Sequence, residues 1–449
     1  MHDGLQALTK ASDRGMPVDV NYCKRQQKKI RKRIHTVEEK VWKKDIGKEW
    51  KRKFGARAKL SDPDQARYII FDVLKLPEIE GRKVGADILI QMDHPIIPRI
   101  IKCRKYDKAC GTFLGGIIRE TVDGLLHPGF HLHIPITFRS SSSGPNFQNF
   151  PMRDPEISKL IRSAFVAPPG WVIVEFDYSS LEVRVGTCYH RDPMMIKYLN
   201  DKSTDMHRDS AMDCFLLKEL SVSKEIRYAA KNRYVFPEFY GSYWAQVAPD
   251  LWKAIKELSL CTPDGKSLYD HLARKGITEL GHIIEGKKGR GKPSEDSFLQ
   301  HIAHVESDFW GARFPGYAQW KKDWYKAYQK RGYFDTLTGF RCTGVQKRNE
   351  VINSPVQGSA FHCLLKAFIE TQRELEKRNM QAHLVGQIHD SAVGLAPVDE
   401  LDMFLSLANE CSTERLMNDW DWISVPLEID IEVAPPGGTW FEKKKRKVA

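Results

Sequence analysis

The chain has few cysteines for its length, nine in 449 residues, and no two of them form a CxxC pair. A disulfide framework is therefore not expected, and the thiols read as free in a reducing compartment. No apolar run approaches the roughly 18 residues of a membrane span, and the first residues lack the pattern of a secretory signal. An intracellular chain is expected rather than a secreted or membrane-spanning one. No internal repeat is evident. A phosphate-binding P-loop is also missing: the run from Gly286 to Lys292 fits GxxxxGK, but Pro293 stands where Ser or Thr is needed. Proline offers neither a hydroxyl to magnesium nor an N–H to phosphate, so this is read as an exposed lysine-rich loop.

What is present is a concentrated positive charge. Residues 21–60 hold 16 Lys and Arg against 4 Asp and Glu, an excess equal to the net charge of +12 for the whole chain. Such a focus suits a polyanion, either a nucleic-acid backbone or an anionic membrane surface; a merely soluble helix surface is the plainer alternative. Ile30, Ile34, Val37 and Val41 recur every three or four residues, which predicts an amphipathic helix from Asn21 to about Trp50. Ser61 or Asp62 then caps a short helix with Pro63 in its first turn. A further helix is expected from Ile96 to Phe113. With 41% hydrophobic residues, the chain has material for a substantial core and for more than one domain.

The texture changes near Pro135. Residues 137–146 read as a polar loop, and Trp171–Phe176 as a strand running into Asp177. Helical patterning covers about 181–243 and 298–331, with a polar insertion expected at about 250–295. A turn at Thr336–Gly339 precedes a helix from about Gln357 to Arg378. Strands are expected on both sides of His389-Asp390 and again near 425–433.

Asp177 and Asp390 each follow a predicted strand. If those strands are neighbours, the two carboxylates can hold divalent ions about 3.5–4 Å apart, the arrangement of two-metal phosphoryl transfer. Their surroundings say more. Asp177-Tyr-Ser-Ser-Leu-Glu182-Val-Arg184 resembles the DYSQIELR signature of family A DNA polymerases, and Gln387-Ile-His389-Asp390-Ser391 resembles that family's palm hairpin. Between them, Arg227-x3-Lys231-x4-Phe236-x3-Tyr240-Gly241 is similar to its nucleotide-binding helix. The stretch from Thr137 through Arg139, Asn146, Gln148 and Pro151 to Arg153 resembles TGRLSS…PNLQNIPVR, and Asn349-Glu-Val-Ile-Asn353-Ser-Pro355-Val-Gln357-Gly358 resembles ERxAINAPxQG. The blocks keep the family's order, and the likeness runs from about residue 8 to the end.

The resemblance implies an α+β right-hand fold with an antiparallel palm sheet and mainly helical thumb and fingers. The thumb would occupy 1–130, the palm 131–188 and 333–449, and the fingers 189–332. It implies a DNA-directed DNA polymerase acting on primer-template DNA and dNTPs. Asp177, Asp390, Lys231 and Arg227 would be catalytic, and two Mg2+ ions, or Mn2+ in their place, would sit at Asp177, Tyr178 and Asp390. Tyr178, Ser179, Glu182, Arg227, Lys231, Phe236 and Tyr240 would bind the nucleotide. Arg139, Asn146, Gln148, Arg184, Asn353, Gln357 and His389 would contact DNA. Arg227 and Lys231, four apart on one helix face, suit a triphosphate. Glu182 would close the space beside the sugar and exclude a 2′-hydroxyl. The basic N-terminal helix would grip backbone phosphates without reading sequence.

Several features depart from the bacterial pattern. One extra residue separates Lys231 from Phe236, and Pro237 follows, so a π-bulge or kink is expected at 232–237. Phe236 is assigned by its spacing to Tyr240, with Val235 the alternative register. Ser180 replaces Gln, and Ser391 replaces the Glu usual after His-Asp. The extra residue and the insertion resemble bacteriophage members, which would place the protein in the host cytoplasm. A single-subunit RNA polymerase, which carries His-Asp-Ser, is the rival reading, and an inactive DNA-binding subunit is another. Too little sequence precedes the thumb for a proofreading domain, so no exonuclease of its own is expected. A separate exonuclease or other replication protein is a possible partner for the expected monomer. The tail Lys443-Lys-Lys-Arg-Lys-Val448 resembles a nuclear import signal, but is read as a solvated tail or weak DNA contact.

Overall fold

The computed structural model describes residues 1–79, 81–152, 154–285 and 291–447. Arg153, most of the lysine-rich loop at 286–290, and Val448 lie outside the described residues. The fold is α+β, as expected, and is organised around one five-stranded antiparallel sheet. In chain order its strands are β1 (Trp171–Tyr178), β2 (His383–Ile388), β3 (Ser391–Pro397), β4 (Ile429–Val433) and β5 (Lys444–Lys445). They lie side by side in the order β2-β3-β1-β4-β5. Central β1 buries Val172 through Phe176 without a break, because it has packed neighbours on both faces.

Only His389 and Asp390 separate β2 from β3, and so tight a hairpin needs positive φ in its loop. His389 supplies it with φ +51°. Gly386 beside a register shift in β2 has no side chain for a steric reason: an added Cβ would lie 2.8 Å from the Phe147 ring. This close approach anchors the 147–149 turn against the sheet that carries the hairpin.

The long helix behind the sheet, Arg348–Lys377, begins nine residues before the expected start. Pro355 lies inside it and deprives the Val351 carbonyl of its usual helical donor. The Trp324 indole N–H donates to that carbonyl instead, at 3.0 Å. A contact from 27 residues away thus lets the helix continue through a residue that normally stops one.

The predicted basic N-terminal helix is two helices, Val20–Trp42 and Asp45–Phe54. At their corner Gly47 approaches the Val41 carbonyl so closely that a Cβ would fall 2.1 Å from it. Trp50 is buried there and donates to Gln65 at 2.8 Å. Asp62 caps Pro63–Arg67 by accepting from the N–H groups of Asp64 and Gln65, which resolves the choice between Ser61 and Asp62. The expected helix at 96–113 is Ile97–Lys108, continuing through a π turn, Ala109–Leu114.

One expectation is corrected, and a second gains detail. Ser141–Ser143, read as loop, pairs as a short strand with Gly129–His131. The stretch 250–295, read as a polar insertion, has an apolar inner side: Leu251, Trp252, Ile255, Leu260, Leu268 and Leu272 are buried in one core with Phe215, Val235 and Phe298. Its exposed lysines and glycines had masked widely spaced core positions. Among the described residues, no helix is long and apolar enough to cross a membrane.

Candidate active site

Asp177 stands near the end of β1, directly opposite Ser391 on β3 and Asp430 on β4. Asp390 occupies the hairpin turn beside it, and its carbonyl accepts from the Tyr178 N–H at 3.2 Å. The two expected carboxylates therefore meet, although 213 positions separate them. Desolvation first, and then the Asp390 charge, push the Asp177 pKa up to about 7. Burial likewise raises Asp390, against the opposing pull of Arg139 and His389. Paired acids that resist joint ionisation fit a cationic ligand, which would relieve their repulsion. Among the described residues no group of three or more His, Cys, Asp or Glu could hold a metal. The pair fits Mg2+ all the same, because that ion usually takes one or two carboxylates and fills its shell with water and substrate phosphate. Tyr178 has its ring buried and its hydroxyl donating to the Ser412 carbonyl at 2.7 Å, leaving only main-chain atoms for any metal role.

The acidity has a consequence for stability. A carboxylic acid whose folded pKa exceeds its unfolded value stabilises the fold below the unfolded pKa and loses that contribution as pH rises through the folded one. The metal-free chain should lose stability between about pH 4 and about pH 7 on account of Asp177. Asp177→Asn should flatten that slope and raise Tm at pH 8, as read by melting curves in EDTA. Asp177 is exposed on its open side, so solvent screening limits the size of the effect. Identical slopes for the two chains would refute it.

Glu175, two residues earlier on β1, is buried beneath the carboxylate pair. Burial alone would raise its pKa, but Lys443 and then Arg162 hold it below the usual value. Lys443 Nζ lies 2.6 Å from Glu175, Arg162 3.4 Å away, and the Trp440 indole N–H donates to the same carboxylate at 2.7 Å. Ser391, also buried, donates to the Ile388 carbonyl at 2.9 Å and faces Glu175, which makes it a support under the site. The first lysine of the basic C-terminal tail is therefore packed against the sheet, while Lys444 to Lys447 stay exposed. Lys444 and Lys445 form β5, Lys445 pairs with Asp430 at 3.0 Å, and Arg446 pairs with Asp402 at 2.6 Å.

On the other side of the cleft, the helix Lys224–Ala230 passes into a π turn, Lys231–Val235, and resumes at Phe236–Phe239. The expected bulge is present, and it swings Phe236 and Tyr240 toward the sheet. A cavity of about 230 Å³ is lined by Glu182, Phe236, Tyr240, Asn353, Gln357 and Asp390 among others. Phe236 also borders a second space shared with Asp205, His207 and Arg227. Lys231 Nζ lies 5.2 Å from the centre of the Phe236 ring. Arg227 is engaged with Asp205 through two hydrogen bonds, at 2.6 and 3.1 Å. Although burial works to raise the Asp205 pKa, Arg227 brings it below the usual carboxylate value.

Glu182 is held from two sides, by Arg139 and by the Tyr240 hydroxyl at 3.1 Å. Arg139, expected at DNA, thus engages Glu182 here. Two other residues expected at DNA are engaged within the protein. Arg184 is buried and spends its guanidinium on the Ser179 carbonyl at 2.8 Å, on Glu428 at 2.7 Å and on the Pro426 carbonyl. The Gln148 amide donates to Ser140 and to Gln387, each at 2.7 Å, and Gln387 in turn donates to the His389 carbonyl. Arg184 ties the turn after β1 to residues 426–428, and Gln148 braces the hairpin that carries Asp390 through Gln387. Asn146 and His389 remain exposed at the rim, and Ser179 donates to Asp430 at 3.3 Å.

Sequence reasoning missed His207. Burial, then Lys231 and Arg227, lower its pKa to about 4, and its Nδ1 is buried with no hydrogen-bond partner among the described residues. A neutral histidine between two cations is a candidate phosphate or sugar contact. Its only signal in the sequence is its place just after the helix-capping Asp205, which by itself is ordinary.

The model of DNA polymerase family A matches residues 20–258 and 300–442. The unmatched residues 259–299 overlap most of the stretch read as an insertion. DNA polymerase I of Geobacillus stearothermophilus is 27% identical over 450 residues, covering 96% of this chain and 44% of that protein. The Bacillus subtilis (strain 168) enzyme is 28% identical over 444 residues, with the same coverages. The thermostable DNA polymerase I of Thermus aquaticus is 26% identical over 452 residues, covering 96% of this chain and 46% of that protein. The chain thus spans less than half the length of these bacterial relatives. The POL domain of Pol1 from M. smegmatis, solved in complex with DNA primer-template and dNTP, superposes with a TM-score of 0.74 at 22% identity. That match covers 99% of this chain and 70% of the other, so the two share the right-hand polymerase fold. With more than four fifths of its residues matched, this chain belongs to DNA polymerase family A.

Proposed function

We propose that the chain is a DNA-directed DNA polymerase, adding dNTPs to a primer 3′-hydroxyl opposite a template and releasing pyrophosphate. The observation that carries this reading is the convergence on one cleft of Asp390, Glu182, Phe236, Tyr240, Asn353 and Gln357, drawn from separate chain segments. The solved relative was captured with primer-template and dNTP, which are the partners proposed for this chain. Residues 1–130 would act as thumb, 131–188 and 333–449 as palm, and 189–332 as fingers.

Asp177 and Asp390, with the main chain of Tyr178, would hold two divalent ions. When bound, Mg2+ or Mn2+ supplies Lewis-acid activation of the 3′-hydroxyl and charge neutralisation on the departing pyrophosphate. Lys231 would hold the triphosphate as a point charge, with its ammonium placed to give a proton to the leaving group. Arg227 would join it by exchanging Asp205 for a phosphate of similar geometry. Phe236 and Tyr240 would present rings to the nascent base pair. Asn353 and Gln357 would donate to minor-groove acceptors common to all pairs, checking shape without reading sequence. Closure of the helices over the cleft would exclude water and align the hydroxyl.

Glu182 would set the sugar preference. Anchored by Arg139 and Tyr240, it forms a wall that cannot move aside for a 2′-hydroxyl. Extension of a primed template with dNTPs or rNTPs tests both the activity and this role. The wild type should favour dNTPs by about 10²-fold or more, and Glu182→Ala should lose most of that preference. A wild-type preference for rNTPs would establish the RNA-polymerase alternative instead.

A further inference from the structure

The loop that carries Arg139 holds an unusual backbone. Phe138 has φ +60°, in the left-handed region where a Cβ crowds the following carbonyl, and a bulky side chain there is an outlier. Among the described residues, no other phenylalanine, tyrosine or tryptophan adopts it. The TGRLSS signature that this stretch resembles has glycine at the same position, and glycine takes a positive φ without steric cost. In this chain a phenylalanine takes it, so contacts outside the residue must hold the backbone there.

Aromatic contacts supply that hold. The Phe138 ring lies 5.6 Å from the Phe340 ring and 6.4 Å from that of His362, and those two are 4.5 Å apart. His362 is buried on the long helix and shares a hydrogen bond with the Thr338 hydroxyl, which ties it to the turn leading into Phe340. The same helix admits the loop at Gly358, where an added Cβ would lie 2.7 Å from the Thr137 carbonyl. The Phe138 N–H donates to the Pro135 carbonyl at 3.1 Å, closing a turn. On the far side of Arg139, Ser140 is buried and donates to Gln387 at 2.6 Å. Arg139 is thus fixed at its main chain through both neighbours, and its guanidinium engages Glu182, which also accepts from Tyr240.

Resting on the polymerase reading, we propose that Phe138 is a positioning residue for sugar selection: its clamped left-handed backbone aims Arg139 at Glu182 and keeps the wall beside the sugar in place. It acts through Arg139 rather than on the nucleotide. A glycine reaches this conformation by its own freedom, whereas Phe138 is held in it by the rings of Phe340 and His362.

Two substitutions that remove the same ring separate positioning from packing. Phe138→Ala keeps the Cβ that strains a left-handed backbone, and Phe138→Gly removes that strain. Primer extension by the full chain with dNTPs and with rNTPs, with melting curves recorded alongside, gives the preference of each variant. Phe138→Ala should lower the dNTP preference by about tenfold, because small displacements beside a reacting centre are strongly felt. Phe138→Gly should stay near the wild-type preference. Phe340→Ala takes away the clamp and leaves Phe138 in place, so it should act like Phe138→Ala, and adding Phe138→Gly to it should restore the preference. Equal losses in Phe138→Ala and Phe138→Gly would reduce the ring to packing, and an unchanged preference in Phe138→Ala and Phe340→Ala would remove the clamp from sugar selection; either overturns the proposal. Failure of the polymerase reading would look different: no primer extension by the wild type with either nucleotide.

Discussion

Asp390→Asn should reduce primer extension by about 10³-fold or more, on the order of 4 kcal/mol of barrier height. The size follows from what is removed. Asp390 and Asp177 meet at the end of β1, and among the described residues no group of three or more acidic, histidine or cysteine ligands forms a metal cluster. With so few protein ligands, loss of one charge leaves the cations held largely by substrate. The fold should not suffer. Burial already disfavours the ionised form of Asp390, so a neutral amide of the same shape costs little. Extension of an end-labelled primer, with duplex binding measured alongside, separates catalysis from affinity. Activity within tenfold of wild type, at unchanged binding, would remove Asp390 from the chemistry.

Lys443→Met should destabilise the chain by about 3–5 kcal/mol, far more than a surface lysine would. Lys443 and Glu175 are 11% and 4% exposed, and removing Lys443 leaves the buried Glu175 charge to the more distant Arg162, at 3.4 Å, and the Trp440 indole. Urea unfolding gives the difference. Pairing Lys443→Met with Glu175→Gln should recover only part of the loss, since the buried Arg162 then lacks its carboxylate partner. A loss under about 0.5 kcal/mol, the usual range for exposed positions, would mean that the tail does not brace the sheet. Because Glu175 underlies Asp177 on the same strand, restored stability in the double variant need not restore activity.

These residues show which parts were legible in advance. The strand into Asp177, the hairpin at His389-Asp390 and the cap at Asp62 follow from local rules, because each is decided by neighbours in the chain. The π turn was legible too, since an inserted residue and Pro237 must be absorbed within one helical turn. The helix through Pro355 was not. Proline's cost is local, but the indole of Trp324 that offsets it comes from another helix. Arg184 and Gln148 have the donors a DNA contact needs, and they use them to hold the loops around the site. A donor's partner is a property of tertiary neighbours, and residue type alone cannot distinguish a backbone carbonyl from a base edge.

The charge of the tail had the same ambiguity. Five consecutive basic residues read as solvated because isolated lysines rarely bury. The buried Glu175, 268 positions upstream, supplied the reason for one of them to do so. The sequence by itself determined the family and the order of strands and helices, because these depend on periodicity and on short blocks with fixed spacing. It also brought the carboxylate pair, Glu182, Lys231 and Tyr240 to notice. Only the tertiary structure decided which polar side chains face the cleft and which are consumed in building it. A hydrogen-bonding group can satisfy itself inward or outward at similar energy, and packing makes that choice.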